Sequence, residues 1–134
     1  MAKLTEEIIE SIGKLKVFPL ATASKDGVPN VAPMGALIVK DPETIWIEDN
    51  FMNKTLANVE ENPKAAIFVY GAGAKGCFQI KADVIVKKSG TELKEMKAKM
   101  EAAKPGLPGK GLLILKVTDV FQCMPGPEAG KKLI

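Results

Sequence analysis

The chain has 134 residues, of which 46% are apolar and 26% charged, as expected for one globular domain spanning residues 1–134. It has no histidine and all 19 basic residues are lysines, which excludes histidine metal sites, histidine-ligated haem and bidentate arginine clamps. The net charge of only +3, and the lack of a ~20-residue apolar run or a signal peptide, predict a cytoplasmic protein with no nucleic-acid or membrane partner.

The first half of the chain predicts two helices with strands between them. Apolar residues recur at helical spacing over residues 4–13, behind Thr5 as a candidate N-cap. Two strands follow about the turn at 25–27, because Asp-Gly is a strong hairpin signal. Residues 44–48 form the next strand, and a second helix begins near Asn53.

The second half predicts three more strands and one helix. Residues 78–87 alternate apolar and polar side chains, which is typical of a half-exposed strand. The other predicted elements are strands over 65–70 and 112–121, a helix behind the capping box Ser89-Gly90-Thr91-Glu92, and a loop over 105–111. Because two junctions are too short for crossover helices, we expect a mainly antiparallel sheet, curled into a small barrel with helices outside.

Residues 71–76 match the dinucleotide-binding pattern G-x-G-x-x-G. That pattern needs a helix directly after it, whose N-terminus faces the pyrophosphate. The residues that follow have the period of a strand, so we interpret the segment as a hairpin connection.

The cysteines Cys77 and Cys123 are far apart in the sequence and lack the C-x-x-C spacing of metal or redox pairs. We expect two buried thiols in a reducing compartment rather than a disulfide.

The segment NFMNKTLANV, residues 50–59, puts Asn53, Lys54 and Thr55 where the second helix begins. Lysine is usually favoured at the opposite end, since the peptide dipoles make a helix N-terminus partially positive. Free amides of the first turn, an ammonium and a hydroxyl together make a phosphate-sized anion site, with Asn58 one turn further on the same face. The alternative is that Asn53 only caps the helix while Lys54 is solvated, and the spacing leaves both open.

A phosphate site alone would bind too weakly. An exposed helix terminus contributes about 0.3–1 kcal/mol, whereas a micromolar ligand needs about 8 kcal/mol. Burial of a flat organic group would have to supply most of the affinity. The candidate surface is residues 30–35, where small residues, Pro33 and Gly35 expose backbone at a sheet edge or bulge.

The successions SKDGVPNVAPMGA and DNFMNKTLANVEENPKAAIFV resemble the flavin-binding split-barrel family related to pyridoxamine 5′-phosphate oxidase, especially its small FMN-binding members. The resemblance runs over residues 16–121, and its most specific element is the K-T-x-x-N pattern at Lys54, Thr55 and Asn58. It implies a mainly β fold with peripheral helices, namely a six-stranded antiparallel split β-barrel. It also implies a homodimer with FMN at each end of the interface.

The resemblance further implies a role for each part of the site. Residues matching 31–34 would contact the flavin ring through their backbone, and those matching 49–51 would line the ribityl chain and ring. Residues matching 53–55, with Asn58, would hold the phosphate. The cofactor-binding residues expected in this way are Val31, Ala32, Pro33, Met34, Asp49, Asn50, Phe51, Asn53, Lys54, Thr55 and Asn58. No catalytic side chain and no metal ligand are expected.

The function expected is that of an FMN-binding oxidoreductase or electron carrier, acting on a small-molecule redox substrate or an electron-transfer partner. Pyridoxamine 5′-phosphate oxidase itself binds its phosphorylated substrate with arginine and histidine side chains. This chain has neither residue type, so we do not expect it to be a true pyridoxamine 5′-phosphate oxidase. Two alternatives stay open: a reductase that uses a deazaflavin, and a binding or dimerisation module without redox chemistry.

Overall fold

The computed structural model describes residues 2–134 and shows a mainly β architecture with three helices among them. The predicted helices and strands are present, with bounds that shift by one or two residues, except that the strand predicted after the turn at 25–27 is divided into two. The helices are α1 (Glu6–Gly13), α2 (Lys54–Glu61) and α3 (Thr91–Ala103). The strands are β1 (Phe18–Ala23), β2 (Pro29–Met34), β3 (Leu37–Asp41), β4 (Thr44–Asp49), β5 (Lys64–Val69), β6 (Phe78–Lys87) and β7 (Gly111–Gln122).

The strands form one antiparallel sheet in the order β2-β1-β5-β6-β7-β4-β3. Its two edges, β2 and β3, follow each other in the chain and are separated only by Gly35 and Ala36. Because two residues connect the outermost strands, the sheet has to curl until its edges meet. The result is an antiparallel half-barrel, which confirms the predicted fold class in its coarse form.

Residues 2–134 contain seven strands, where the resemblance implied six. The sequence also predicted one continuous strand after the turn at 25–27, but β2 and β3 are separate. β2 pairs with β1, whereas β3 pairs with β4, so the chain changes sides of the curled sheet at Gly35 and Ala36.

The predicted helix caps have different outcomes. The Thr5 hydroxyl accepts a hydrogen bond from the Ile8 amide at 3.3 Å, as an N-cap should. The predicted capping box is wrong, because Gly90 occupies the N-cap of α3 with φ of +105° and no side chain caps that helix. This left-handed conformation suits glycine.

Two layers of core lie on the two faces of the sheet. Ile45 and Ile47 of β4 belong to the barrel interior, while Trp46 between them packs with Met96 and Met100 under α3. Alternation along a strand explains the division. Trp46, Met96 and Met100 are therefore core residues of the outer layer. Within residues 2–134, no helix combines the length and apolar character needed to cross a membrane.

Candidate functional site

An open cavity of about 520 Å³ lies between the β2 edge, the end of β4, the start of α2 and the segment after α3. This volume is within the range of small-molecule sites. Eight of the predicted cofactor-binding residues line it: Ala32, Pro33, Met34, Asn50, Phe51, Asn53, Lys54 and Thr55. The fold thus brings the β2 edge and the start of α2, more than 15 positions apart in the chain, to one cavity.

One end of this cavity is the N-terminus of α2, called here the helix end and formed by Asn53, Lys54 and Thr55. Asn53 precedes the helix, but its side chain makes no capping hydrogen bond. The predicted capping by the Asn53 side chain is therefore wrong, while the choice between a solvated and an anion-binding Lys54 stays a prediction. The amides of the first turn have no acceptor within the helix, and Lys54 is exposed beside them. No ion pair among residues 2–134 includes Lys54.

A hydrogen-bonded network holds the helix end against β1 and β2. The Asn30 side-chain amide donates to the hydroxyls of Thr55 at 3.2 Å and Thr22 at 3.4 Å. The Asn58 amide donates to the same Thr22 hydroxyl at 3.1 Å. Asn58 is buried and lies behind the cavity wall, not at its surface. In this structure it orients α2 rather than facing the cavity.

The β2 edge forms one wall of the cavity through Ala32, Pro33 and Met34. Met34 is buried and belongs to the interior core, whereas Val31 is 66% exposed and points away from the cavity. Ala32 and Pro33 lie on the wall. Proline is tolerated in β2 because one side of an edge strand has no neighbouring strand, so a missing backbone N–H on that side leaves no interstrand hydrogen bond unmade.

The turn after β4 forms the opposite rim. Asp49 is buried and does not line the cavity; its carboxylate accepts from the Met52 amide at 3.0 Å and shapes the turn. The Asn50 side-chain oxygen accepts from the Gly109 amide at 2.8 Å and ties the segment after α3 to the site. Phe51 is 78% exposed on the rim, so it is not a core residue.

The other end of the cavity, called here the far end, is formed by Gly35, Ala36, Glu48, Lys104 and Leu107. The Lys104 ammonium donates to the Gly35 carbonyl at 3.0 Å. Glu48 is only 4% exposed, and its Oε1 has no hydrogen-bond partner. Sequence reasoning missed Glu48, Lys104 and Leu107. A charge inside the apolar strand TIWIED was a usable signal for Glu48, because buried glutamates are rare.

The two cysteines lie next to each other outside this cavity, Cys77 directly before β6 and Cys123 directly after β7. The Cys123 amide donates to the Cys77 carbonyl at 2.8 Å, and both thiols are free. Burial and the neighbouring Cys123 thiol raise the pKa of Cys77. The prediction of two thiols without a disulfide is confirmed, but Cys123 is only half-buried and their proximity was not foreseen.

Comparison with known proteins gives a consistent assignment. A family model described as pyridoxamine 5′-phosphate oxidase matches residues 4–124. The uncharacterized protein MJ0282 of Methanocaldococcus jannaschii is 46% identical over 134 residues, covering 98% of this chain and 88% of that protein.

Solved structures share the fold at low sequence identity. HupZ of Group A Streptococcus is 24% identical with a TM-score of 0.80, covering 95% of this chain and 99% of its own. An FMN-binding protein from Syntrophomonas wolfei is 17% identical with a TM-score of 0.73, covering 87% and 82%. The haem storage protein HutZ of Vibrio cholerae (20%, TM-score 0.70, covering 90% and 94%) and an F420 reductase (17%, TM-score 0.66, covering 90% and 98%) have the same fold.

Proposed function

The chain belongs to the pyridoxamine 5′-phosphate oxidase family, and from this premise we propose that it is a flavoprotein that binds FMN in the cavity described above. The observation that carries the proposal is the composition of the cavity. A helix N-terminus with a free lysine and the edge of a strand line the same space. These are the two surfaces that a phosphate and a flat ring require.

The residues present fit FMN at both ends. The amides of the first turn of α2, with the Lys54 ammonium and the Thr55 hydroxyl, would hold the phosphate. The chain from Asn30, beside Thr55, to Gly35, beside Lys104, covers five residues of extended strand, or up to about 16 Å. The ring would lie along this wall against Ala32 and Pro33.

Bound FMN would supply the redox chemistry, and the protein would supply binding, orientation and electrostatics. Ala32, Pro33 and Met34 would present backbone and small apolar surface to the ring, with Phe51 covering it from the rim. The neighbour described as an FMN-binding protein supports this choice of cofactor. The reaction partner would be a small-molecule redox substrate or an electron-transfer protein.

We also propose a homodimer with the cavity at its interface. Two large apolar side chains are strongly exposed: Phe51 at 78% on the cavity rim, and Val31 at 66% on the outer side of β2. Val28, just before β2, is 63% exposed. A second copy of the chain would cover these side chains and close the open side of the cavity.

An absorbance spectrum of the purified protein, followed by parallel titrations with FMN and a deazaflavin, tests the proposal. Flavin absorbance that stays with the protein through gel filtration, and tighter binding of FMN than of the deazaflavin, are expected. Tighter deazaflavin binding would favour the reductase that uses that cofactor. A colourless protein that retains neither cofactor would refute the proposal and favour a binding or dimerisation module.

A further inference from the structure

Glu48 carries an acceptor that the folded chain leaves unpaired. The residue is 4% exposed and lines the cavity, and its Oε1 is fully enclosed without a donor. It is the one side-chain nitrogen or oxygen in this condition among residues 2–134. Burying an acceptor without a donor destabilises the folded state, and more so when the acceptor is charged, so the presence of Glu48 here needs an explanation.

The surroundings of Glu48 offer no donor from within the sheet. Its cross-strand neighbour on β7 is Leu112, and on the other side its amide donates to the Ala36 carbonyl at 2.9 Å. Both neighbours have apolar side chains and are buried. Lys104 lines the same end of the cavity, but its ammonium donates to the Gly35 carbonyl and makes no ion pair with Glu48. The folded chain therefore offers the Glu48 carboxylate no donor, and the cavity that Glu48 lines is the side from which a ligand could supply one.

Glu48 also lies at the end of the cavity opposite the proposed phosphate site. At the helix end, Thr55 accepts a hydrogen bond from Asn30, near the start of β2. At the far end, Lys104 donates a hydrogen bond to Gly35, just after β2. The Glu48 backbone amide donates a hydrogen bond to the carbonyl of Ala36, the residue after Gly35. A ligand whose phosphate occupies the helix end would place its ring system, not its phosphate, near this carboxylate.

We propose that Glu48 accepts a hydrogen bond from the imide N–H of the flavin pyrimidine ring and so determines which edge of the ring enters the far end. This inference rests on the proposed function. Oxidised isoalloxazine has one ring N–H, at N3, while N1, N5 and the two carbonyl oxygens are acceptors, which a carboxylate repels. The Lys104 ammonium, at the same end, is a donor for a carbonyl oxygen beside that N–H.

A flavin analogue methylated at N3 tests this contact, because the methyl group removes the donor and changes little else. We expect wild-type protein to bind FMN at least about tenfold more tightly than N3-methyl-FMN, since a hydrogen bond to a charged group is lost. E48L, which has no acceptor, should bind the two ligands with similar affinity. E95Q is the matched control: Glu95 is on α3 outside the cavity, and this variant should keep the wild-type preference.

E48Q covers the case in which E48L does not fold, because it keeps the shape and one acceptor while it removes the charge. Its preference for FMN should be several-fold smaller than that of the wild type. Equal binding of both ligands by wild-type protein, or an undiminished preference in E48L or E48Q, would overturn the role of Glu48 while FMN binding stands. Failure of wild-type protein and E95Q to bind FMN at all would instead overturn the proposed function, and this inference with it.

Discussion

Replacement of Thr22 by valine tests the network that positions the helix end. The substitution keeps the shape of the side chain and removes the one oxygen that accepts from both Asn30 and Asn58. Asn30 keeps its bond to Thr55, but the buried Asn58 amide loses the acceptor that it has in this structure. Leaving such a donor unpaired costs about 1–3 kcal/mol, so we expect the free energy of unfolding to fall by about 2 kcal/mol.

Urea unfolding followed by circular dichroism measures this change, with T118V as the matched control. Thr118 is exposed on β7 and donates to the Lys81 carbonyl, so its replacement should change stability by less than about 0.5 kcal/mol. A loss of about 2 kcal/mol corresponds to a melting temperature lower by roughly 6–10 °C for a domain of this size. If T22V and T118V unfold at the wild-type urea midpoint, the network does not stabilise the helix end and the reasoning is wrong.

Three further predictions concern the cofactor, the assembly and the thiols. K54A should weaken FMN binding about 5–30-fold without changing the circular dichroism spectrum, whereas K94A, on the exposed part of α3, should leave the affinity unchanged. F51S should increase the monomer fraction in light-scattering measurements; an unchanged fraction would place the dimer interface elsewhere. A mild oxidant such as hydrogen peroxide should join Cys77 and Cys123 in one disulfide, because a backbone hydrogen bond holds the two residues together just beyond the paired ends of β6 and β7. Since the pKa of Cys77 is raised, the thiolate becomes available only as the pH rises, so thiol-labelling assays should show faster oxidation at alkaline pH.

The proposed phosphate site differs from sites built on arginine. With no arginine in the chain, Lys54 contributes a point charge, and the directional contacts have to come from backbone amides and the Thr55 hydroxyl. These groups are exposed to solvent except for Thr55, so salt should weaken phosphate binding noticeably. Burial of the ring along β2 would then supply most of the affinity.

The local elements followed from the sequence because their causes are local. Alternation over residues 78–87, the Asp-Gly turn and the Thr5 cap each act within a few positions, and the structure contains the strand, the turn and the cap. The start of α2 was predicted for the same reason. The break at Gly35 and Ala36 was not, because a run of small and apolar residues continues through it and only the pairing of β2 and β3 with different neighbours interrupts the strand.

The sequence by itself determined which residues form the helix end and the β2 wall, because turns and helix N-termini depend on the types of a few consecutive residues. Only the tertiary structure decided that Glu48, Lys104 and Leu107 complete the cavity, and that Asn58 lies behind it. Lys104 reaches Gly35 across 69 positions of chain because α3 packs on the outer face of β4 and β7. Such contacts depend on how the sheet curls, which is set by the packing of both faces together and not by any one segment.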